Sequence, residues 1–429
     1  MARPLRVDGA RLNAALHQTC DTWGALAAPS IGMRRLALGR EDKAVRDWLV
    51  AECKSLGCAV RVDQMGNVFA VRPGSAAAAA EKPIAMGSHL DTQPSGGRYD
   101  GILGVHAALE VLRTLHDNGV RTHCPLAVVD WTNEEGARFP GAMMASGVWS
   151  GQSSAALDEC HAVTDSDGVS VRAALREIGY LGDTPCDCRQ NALRAHFELH
   201  IEQGPLLERA GRSVGVVTAV QGMKWFRVRV GGVEGHSGTT PMADRSDALV
   251  TASRLIASVR DAARETGLGV ATVGVIQSDT SSQATIPPGV EFIIDVRCST
   301  DQMVDDLCAD IFKRFDNIVS EEANSTAYLV QRTWGLSESK FHPDCIAAVR
   351  EAAVKEVGEE QVMEMKSKAG HDSAWTSRVV PTTMIFVPSR DGISHNPNEY
   401  TSPEHCSLGA QVLLDAVLAY DKLVANADR

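Results

Sequence analysis

Four short stretches of this chain carry histidines and carboxylates that could converge. They read GSHLDTQPSGGRYDG, DWTNEEGARFPG, ELHIEQGP and ISHNPNEYTSP. Among their residues, His89, Asp100, Glu135, His200 and His395 offer imidazole nitrogens and carboxylate oxygens. These are the donors that zinc-type cations take in catalytic sites, with a coordination position left to water or substrate. With the spare Glu134 they would hold two divalent cations and a general base, the equipment of a metal-dependent hydrolase. Taken singly, each reads as an ordinary polar residue, and adjacent glutamates usually form a solvated face. Here each acid or imidazole follows an apolar, strand-like run and has glycines nearby that permit tight turns. The pattern also recurs in four segments between residues 89 and 395.

The spacing suggests roles. Asp100 is the candidate bridge between two cations, because the turn Gly96-Gly97-Arg98-Tyr99 can aim its carboxylate at both. Glu134, adjacent to a ligand, fits the general base that takes a proton from water and returns it to a leaving nitrogen. Asp91, two residues after His89, would orient that imidazole, with a turn cap as its other reading.

Such a site needs strands that end together. Residues 9–22 and 43–56 read as helices, and 59–71 alternate like a hairpin around Met65-Gly66-Asn67. Residues 75–80 are an alanine-rich loop or helix start. Strand-like 83–88 precedes helix-like 101–117, and strand-like 125–131 ends at the glutamate pair. This alternation predicts an α/β fold, a mainly parallel sheet covered by helices, with ligands gathered at the carboxyl ends of the strands. From residue 214 to 333 the texture changes. Strand-like 225–230, 271–277 and 291–298 alternate with helix-like 243–266 and 300–316, the pattern of an inserted α+β domain with a four-stranded sheet. Because His395 must join ligands from the first two hundred residues, the catalytic domain is expected to be discontinuous, 1–213 with 334–429.

Composition narrows the function further. The chain has 429 residues, 44% of them hydrophobic and 22% charged, as in an ordinary globular protein, and is long enough for two domains. Its net charge of −12 and lack of any Lys/Arg run argue against nucleic acid as a partner. Its apolar stretches are too short to cross a membrane. Eleven scattered cysteines without a tight framework, and no signal-peptide pattern at the N-terminus, imply reduced thiols in a cytoplasmic protein.

Beyond about Asp21 the chain resembles the di-zinc exopeptidase and aminoacylase superfamily, in its hydantoinase/carbamoylase branch. The resemblance is carried by DTQPSGGRYDGILGV, TNEEGARFPGAMMASGVW, ELHIEQGPLLE and FVPSRDGISHNPNEYT, and is strongest to fungal-type β-ureidopropionases (β-alanine synthases). It implies a homodimer with two divalent cations per subunit, zinc first and manganese or cobalt as alternatives. His89 and His200 would serve one cation, Glu135 and His395 the other, with Asp100 shared. The implied inserted domain is a dimerisation and lid domain. Its His236, in GHSGTTP, would reach the partner's site and stabilise an oxyanion, or else cap its own loop. Arg297, after EFIIDVR, would anchor a substrate carboxylate, with a structural salt bridge as the alternative. Gln203 would contact the substrate, and His371 in AGHDSAW is a further polar match. The implied activity is hydrolysis of a linear amide or ureido bond in an N-carbamoyl amino acid such as N-carbamoyl-β-alanine, releasing amino acid, carbon dioxide and ammonia. Allantoate, an N-acyl amino acid or a peptide are the alternative substrates. One departure stands out: the family places Asn two residues before Ile-Pro, where this chain has Ala284.

Overall fold

The computed structural model describes residues 4–75, 82–153, 155–321 and 326–428; the alanine-rich stretch from residue 76 to 80 lies outside them. Two compact units result. One runs to Ala219 and resumes at Lys340, and the other is Val220–Ser339.

The large unit opens with helices Gly9–Thr22 and Arg40–Ser55. The first is capped by the Asp8 side chain, which accepts the Arg11 N–H. A hairpin of β1 (Ala59–Val62) and β2 (Val68–Arg72) follows, turning at Gly66 with φ 81°. Then come β3 (Ile84–His89), β4 (Leu126–Trp131) and β5 (Ala195–Ile201), every residue of them buried, and β6 (Val214–Val220). The small unit holds β7 (Gly222–Gly231), the short β8 (Gly235–His236), β9 (Gly269–Ser278), the short β10 (Thr285–Ile286), β11 (Gly289–Cys298) and β12 (Ala327–Leu336). The closing segment adds β13 (Ser339–Lys340), β14 (Val362–Ser367) and β15 (Thr382–Val387).

In the large unit nine strands form one sheet in the order β1-β2-β4-β3-β5-β15-β6-β13, with β14 also on β6. The sheet is mixed, which corrects the expectation of a mainly parallel one. Its centre, β4-β3-β5-β15, is parallel, but β1–β2, β2–β4 and β15–β6 are antiparallel. A parallel connection needs a crossover of about a dozen residues or more, and the turn between β1 and β2 is too short for one. Between β3 and β4 the crossover is helix Ile102–Asp117, almost wholly buried. Its Leu103, Val105, Leu109 and Leu112 enter the main core with Met86, Phe197 and Leu413. Burying each such side chain contributes about 1.5–3 kcal/mol. This helix starts directly after Asp100 and Gly101, so the first ligand loop is pinned at both ends, by β3 and by the helix.

In the small unit β12-β7-β11-β9 form a four-stranded antiparallel sheet. Helices Ala248–Thr266 and Asp301–Glu321 pack on it through Leu255, Val259, Leu307, Ile311 and Phe315. The first of these is capped by Asp247, which accepts from Leu249 and Val250 N–H groups. Because β6 pairs within the large sheet and β12 runs to Leu336 in the small one, the units divide after Ala219 and after Ser339, later than 214 and 333. All eleven cysteines are unpaired, and all but Cys188 are buried. No helix among the described residues is long and apolar enough to cross a membrane.

Candidate metal centre

β3 ends at His89, whose ring is buried. Its Nδ1 lies 2.9 Å from the Asp91 carbonyl oxygen and donates to it, which leaves Nε2 with a bare lone pair. That Nε2 is buried and has no hydrogen-bond partner. It faces Asp100 Oδ1 at 3.7 Å and Glu134 Oε2 at 3.6 Å. The close approach needs Gly101 (φ 68°), where a Cβ would lie 2.3 Å from the His89 ring.

From β5, His200 repeats the arrangement: Nδ1 meets the Ile201 carbonyl at 2.8 Å, and Nε2 stands 3.1 Å from Asp100 Oδ1. On the other side His395 Nε2 is 3.2 Å from Asp100 Oδ2 and 3.3 Å from Glu135 Oε2. Two trios result, His89–Asp100–His200 and Asp100–Glu135–His395, and Asp100 belongs to both. Donors held about 2.0–2.1 Å from a tetrahedral zinc would stand roughly 3.3 Å apart. The observed separations bracket that value, so these residues fit a pair of cations sharing one carboxylate.

Electrostatics point the same way. Burial drives the Glu134 carboxyl well above its usual range, and Asp372, Glu135, Asp100 and Asp91 add to it. Glu135 is pushed up to about 8 by burial and Asp100. Burial lowers His89 to about 4. Burial also opposes charge on His200, but the hydrogen bond and charge of Asp100 overcome it and raise the ring to about 9. Crowded buried carboxylates of this kind are stabilised by cations.

Asp91 meets the imidazole and the glutamate turn with different atoms. Its carboxylate Oδ1 is 3.9 Å from His89 Nδ1, and the hydrogen bond to the imidazole is made by the Asp91 main chain. The carboxylate instead accepts the N–H groups of Glu134 at 3.2 Å and Glu135 at 3.3 Å. It therefore fixes the glutamate turn, where Asn133 has φ 55° and donates to the carbonyls of Phe139 and Gly141. Below the turn the fully buried Arg46 pairs with Asp42 at 2.9 Å and Asp130 at 3.0 Å and donates to Thr132 Oγ1. The end of β4 is thus tied to helix Arg40–Ser55.

Gln203 (φ 57°) donates from Nε2 to Asp100 Oδ2 at 2.7 Å, while its Oε1 is buried without a partner. His371 packs edge-on against His200, centroids 4.5 Å apart, and its Nε2 is 2.9 Å from Ser367 Oγ. Glu198 forms a third group with His200 and His371, but its oxygens accept the hydroxyls of Ser88 and Ser373, so it reads as a support.

Two expected residues lie in the small unit. His236 is exposed at the end of β8, and its Nδ1 accepts the Gly238 N–H at 3.0 Å. Beside it, the Ala284 carbonyl accepts the Ser237 N–H. Arg297 on β11 pairs with Asp295 on the same strand at 2.8 Å. Residues not foreseen include Glu399, Ser394, Arg46, Asp130 and Glu198. Glu399 sits four positions after His395 in a Pro-containing loop, and that proximity was its only sequence signal.

Residues 85–419 match the peptidase family M20/M25/M40. The chain is 39% identical over 394 residues to an N-carbamoyl-L-amino-acid amidohydrolase of Rhizobium meliloti, covering 92% of each chain. It is 32% identical over 392 residues to an allantoate amidohydrolase of Bacillus subtilis, covering 91% of this chain and 93% of that one. An amidase of the hydantoinase/carbamoylase family from Burkholderia multivorans superposes with a TM-score of 0.85 at 42% identity, over 96% of this chain and 98% of the other.

Proposed function

Because the chain belongs to the M20 peptidase family, in its hydantoinase/carbamoylase amidohydrolase branch, we propose that it hydrolyses the ureido C–N bond of an N-carbamoyl amino acid. The observation that carries this reading is the bare, buried Nε2 of His89 facing two carboxylates, beside a second trio that shares Asp100. The mixed N/O donor set suits zinc, with manganese and cobalt as alternatives.

When bound, two divalent cations polarise a carbonyl and lower the pKa of water from about 15.7 towards 7. Glu134, buried 3.6 Å from His89 Nε2, would take the proton as the water oxygen adds to the ureido carbon, and return it to the departing nitrogen. The C–N bond then breaks and the amino acid leaves with that proton. The remaining carbamic acid falls apart into carbon dioxide and ammonia, so one water is consumed per turnover. Gln203 Oε1, buried and without a partner, accepts a substrate N–H. Arg297, its guanidinium held by Asp295, receives the substrate carboxylate.

His236 donates to the developing oxyanion of the other subunit in a homodimer. Support for the dimer comes from β9, an edge strand of ten residues that exposes Val270, Val275 and Ile276, and from exposed Leu249 and Val250 on the adjoining helix. A long apolar edge of this sort calls for a partner.

For the substrate, the name of the Rhizobium relative supports an N-carbamoyl-L-α-amino acid over the N-carbamoyl-β-alanine expected from sequence. The Bacillus relative makes allantoate the second reading. A panel of N-carbamoyl-L-α-amino acids, N-carbamoyl-β-alanine, allantoate, N-acetyl amino acids and dipeptides, assayed for ammonia and free amine together, separates these. Equal release of ammonia and L-amino acid is expected. Fastest turnover of N-carbamoyl-β-alanine would restore the β-ureidopropionase reading, and turnover of dipeptides alone would overturn the proposal.

A further inference from the structure

Glu399 touches no atom assigned to the reaction, yet its carboxylate joins the two halves of the site. Oε1 accepts the backbone N–H groups of Tyr99 at 3.0 Å and Asp100 at 3.1 Å. Oε2 accepts the hydroxyl of Ser394 at 3.0 Å, directly before His395 in the chain. Only 3% of Glu399 is exposed. The turn beside it is shaped to receive it, because a Cβ at Gly97 would lie 2.1 Å from Oε1. On its far side the turn is braced by reciprocal backbone bonds of 2.9 Å between Gly96 and Met33.

The two cation positions depend on this clamp unequally. His89 and His200 are buried on central strands, and their rings are fixed by the main-chain carbonyls of Asp91 and Ile201. His395 lies on a loop, its side chain is 49% exposed, and its φ of 52° is a conformation that a non-glycine residue holds only with support from its surroundings. Support comes through Ser394, whose hydroxyl lies 3.0 Å from Glu399 Oε2, 3.3 Å from Asp100 Oδ2 and 3.2 Å from Gln203 Nε2; of these partners, Glu399 alone also holds the main chain of Asp100.

We propose that Glu399 is a positioning residue that couples the two cation positions: it ties the main chain of the bridging Asp100 to the His395 loop, and so sets the affinity of the Asp100–Glu135–His395 position. This rests on the two-cation reading above. The test is to titrate Co²⁺ and Zn²⁺, against a competing chelator, into metal-free wild type, Glu399→Ala, Glu399→Gln and His395→Ala. Thermal melts of the metal-free proteins serve as the folding control.

Wild type should bind two ions per chain. Glu399→Ala should bind the first as wild type does and the second about 10–100-fold more weakly, matching the position lost in His395→Ala. Glu399→Gln should recover most of the loss, since its amide oxygen still accepts both N–H groups and its amide N–H can donate to Ser394. Equal weakening of both ions, no weakening, or a Gln variant as impaired as Ala would overturn the coupling while leaving the two-cation reading intact. Fewer than two ions on wild type would instead remove the reading on which the coupling rests. If Glu399→Ala does not fold, Glu399→Asp carries the same test, because the shorter side chain cannot hold Tyr99, Asp100 and Ser394 together: selective loss of the second ion supports the clamp, and unchanged affinity overturns it.

Discussion

The Asp100 cluster and the His236 loop are built in opposite ways. Around Asp100 the side chains lie mostly buried, and second groups hold them in place. Asp91 holds the glutamate turn, Gln203 and Glu399 hold Asp100, and carbonyl oxygens fix His89 and His200. Around His236 there is a two-residue strand pairing, an exposed imidazole and a contact to its own loop. A site that must act at once on binding is preorganised by its own fold, whereas a group that acts only in an assembly can stay in the open until a neighbour arrives. The cluster should therefore behave as an autonomous cation site, and the loop should matter only to catalysis in the proposed dimer.

The largest effect should come from the base. Glu134→Gln should lower kcat by about 100- to 10,000-fold and leave the metal content near wild type. Glu135→Gln should lose metal as well. Wild-type turnover in Glu134→Gln would remove the assigned base and, with it, the division between base and ligand in the cluster.

Next in size is His236→Ala, expected to cost about 100- to 1000-fold in kcat with the metal content unchanged. Mixed dimers of His236→Ala and Glu134→Gln subunits should recover activity well above either parent. No recovery, with subunit exchange verified, would place the action of His236 within its own chain and break the contrast drawn here.

Ala284 tests how open the second region is. The Ala284→Asn change adds a donor next to the His236 loop and should shift the preference between N-carbamoyl-β-alanine and bulkier N-carbamoyl-L-amino acids by about 1–3 kcal/mol. Identical kcat/KM ratios in the two proteins would mark the residue as neutral.

The smallest effect tests the rigidity behind the cluster. His106 in the crossover helix is fully buried, 2.9 Å from Thr19 Oγ1 and 2.9 Å from the Ile102 carbonyl, and burial lowers it to about 3 from a free value of 6.5. The unfolded chain therefore takes up a proton that the folded one refuses. This contribution is intact above pH 6.5 and is lost as the pH falls from 6.5 towards 3. Between pH 7.5 and 5.5 wild type should lose about 1.4 kcal/mol more than His106→Gln, measured by denaturant unfolding of metal-free protein. Parallel losses would mean that His106 titrates normally in the fold.

The sequence made part of this visible and hid the rest for physical reasons. His89, Glu134, Glu135 and His200 were legible because side-chain type and position after an apolar run carry the information, and these runs became the buried β3, β4 and β5. The glycines around Asp100 announced a tight turn, and Gly101 and Gly97 are the positions where no side chain fits. What supports the ligands stayed hidden, because a support acts through partners far away in sequence. Glu399 meets backbone N–H groups 299 and 300 residues distant, bonds that any carboxylate could make. Asp91 is expected from sequence to orient His89 or to cap a turn; only the folded chain shows its main chain on the imidazole and its carboxylate on the glutamate turn. The hairpin of β1 and β2 is legible in residues 59–71, but its joining the main sheet antiparallel to β4, and the antiparallel pairing of β6 with β15, are not, because the alternation of strands and helices reports only on the crossovers.

The central claim is that two cations gathered at Asp100 enable hydrolysis of an N-carbamoyl amino acid. The most direct measurement is the release of ammonia and amino acid from an N-carbamoyl-L-amino acid by protein stripped with a chelator, then reloaded with counted equivalents of Zn²⁺, Mn²⁺ or Co²⁺. The account predicts no turnover without metal and full activity at two ions per chain. Undiminished ammonia release from protein shown by elemental analysis to be metal-free would contradict it.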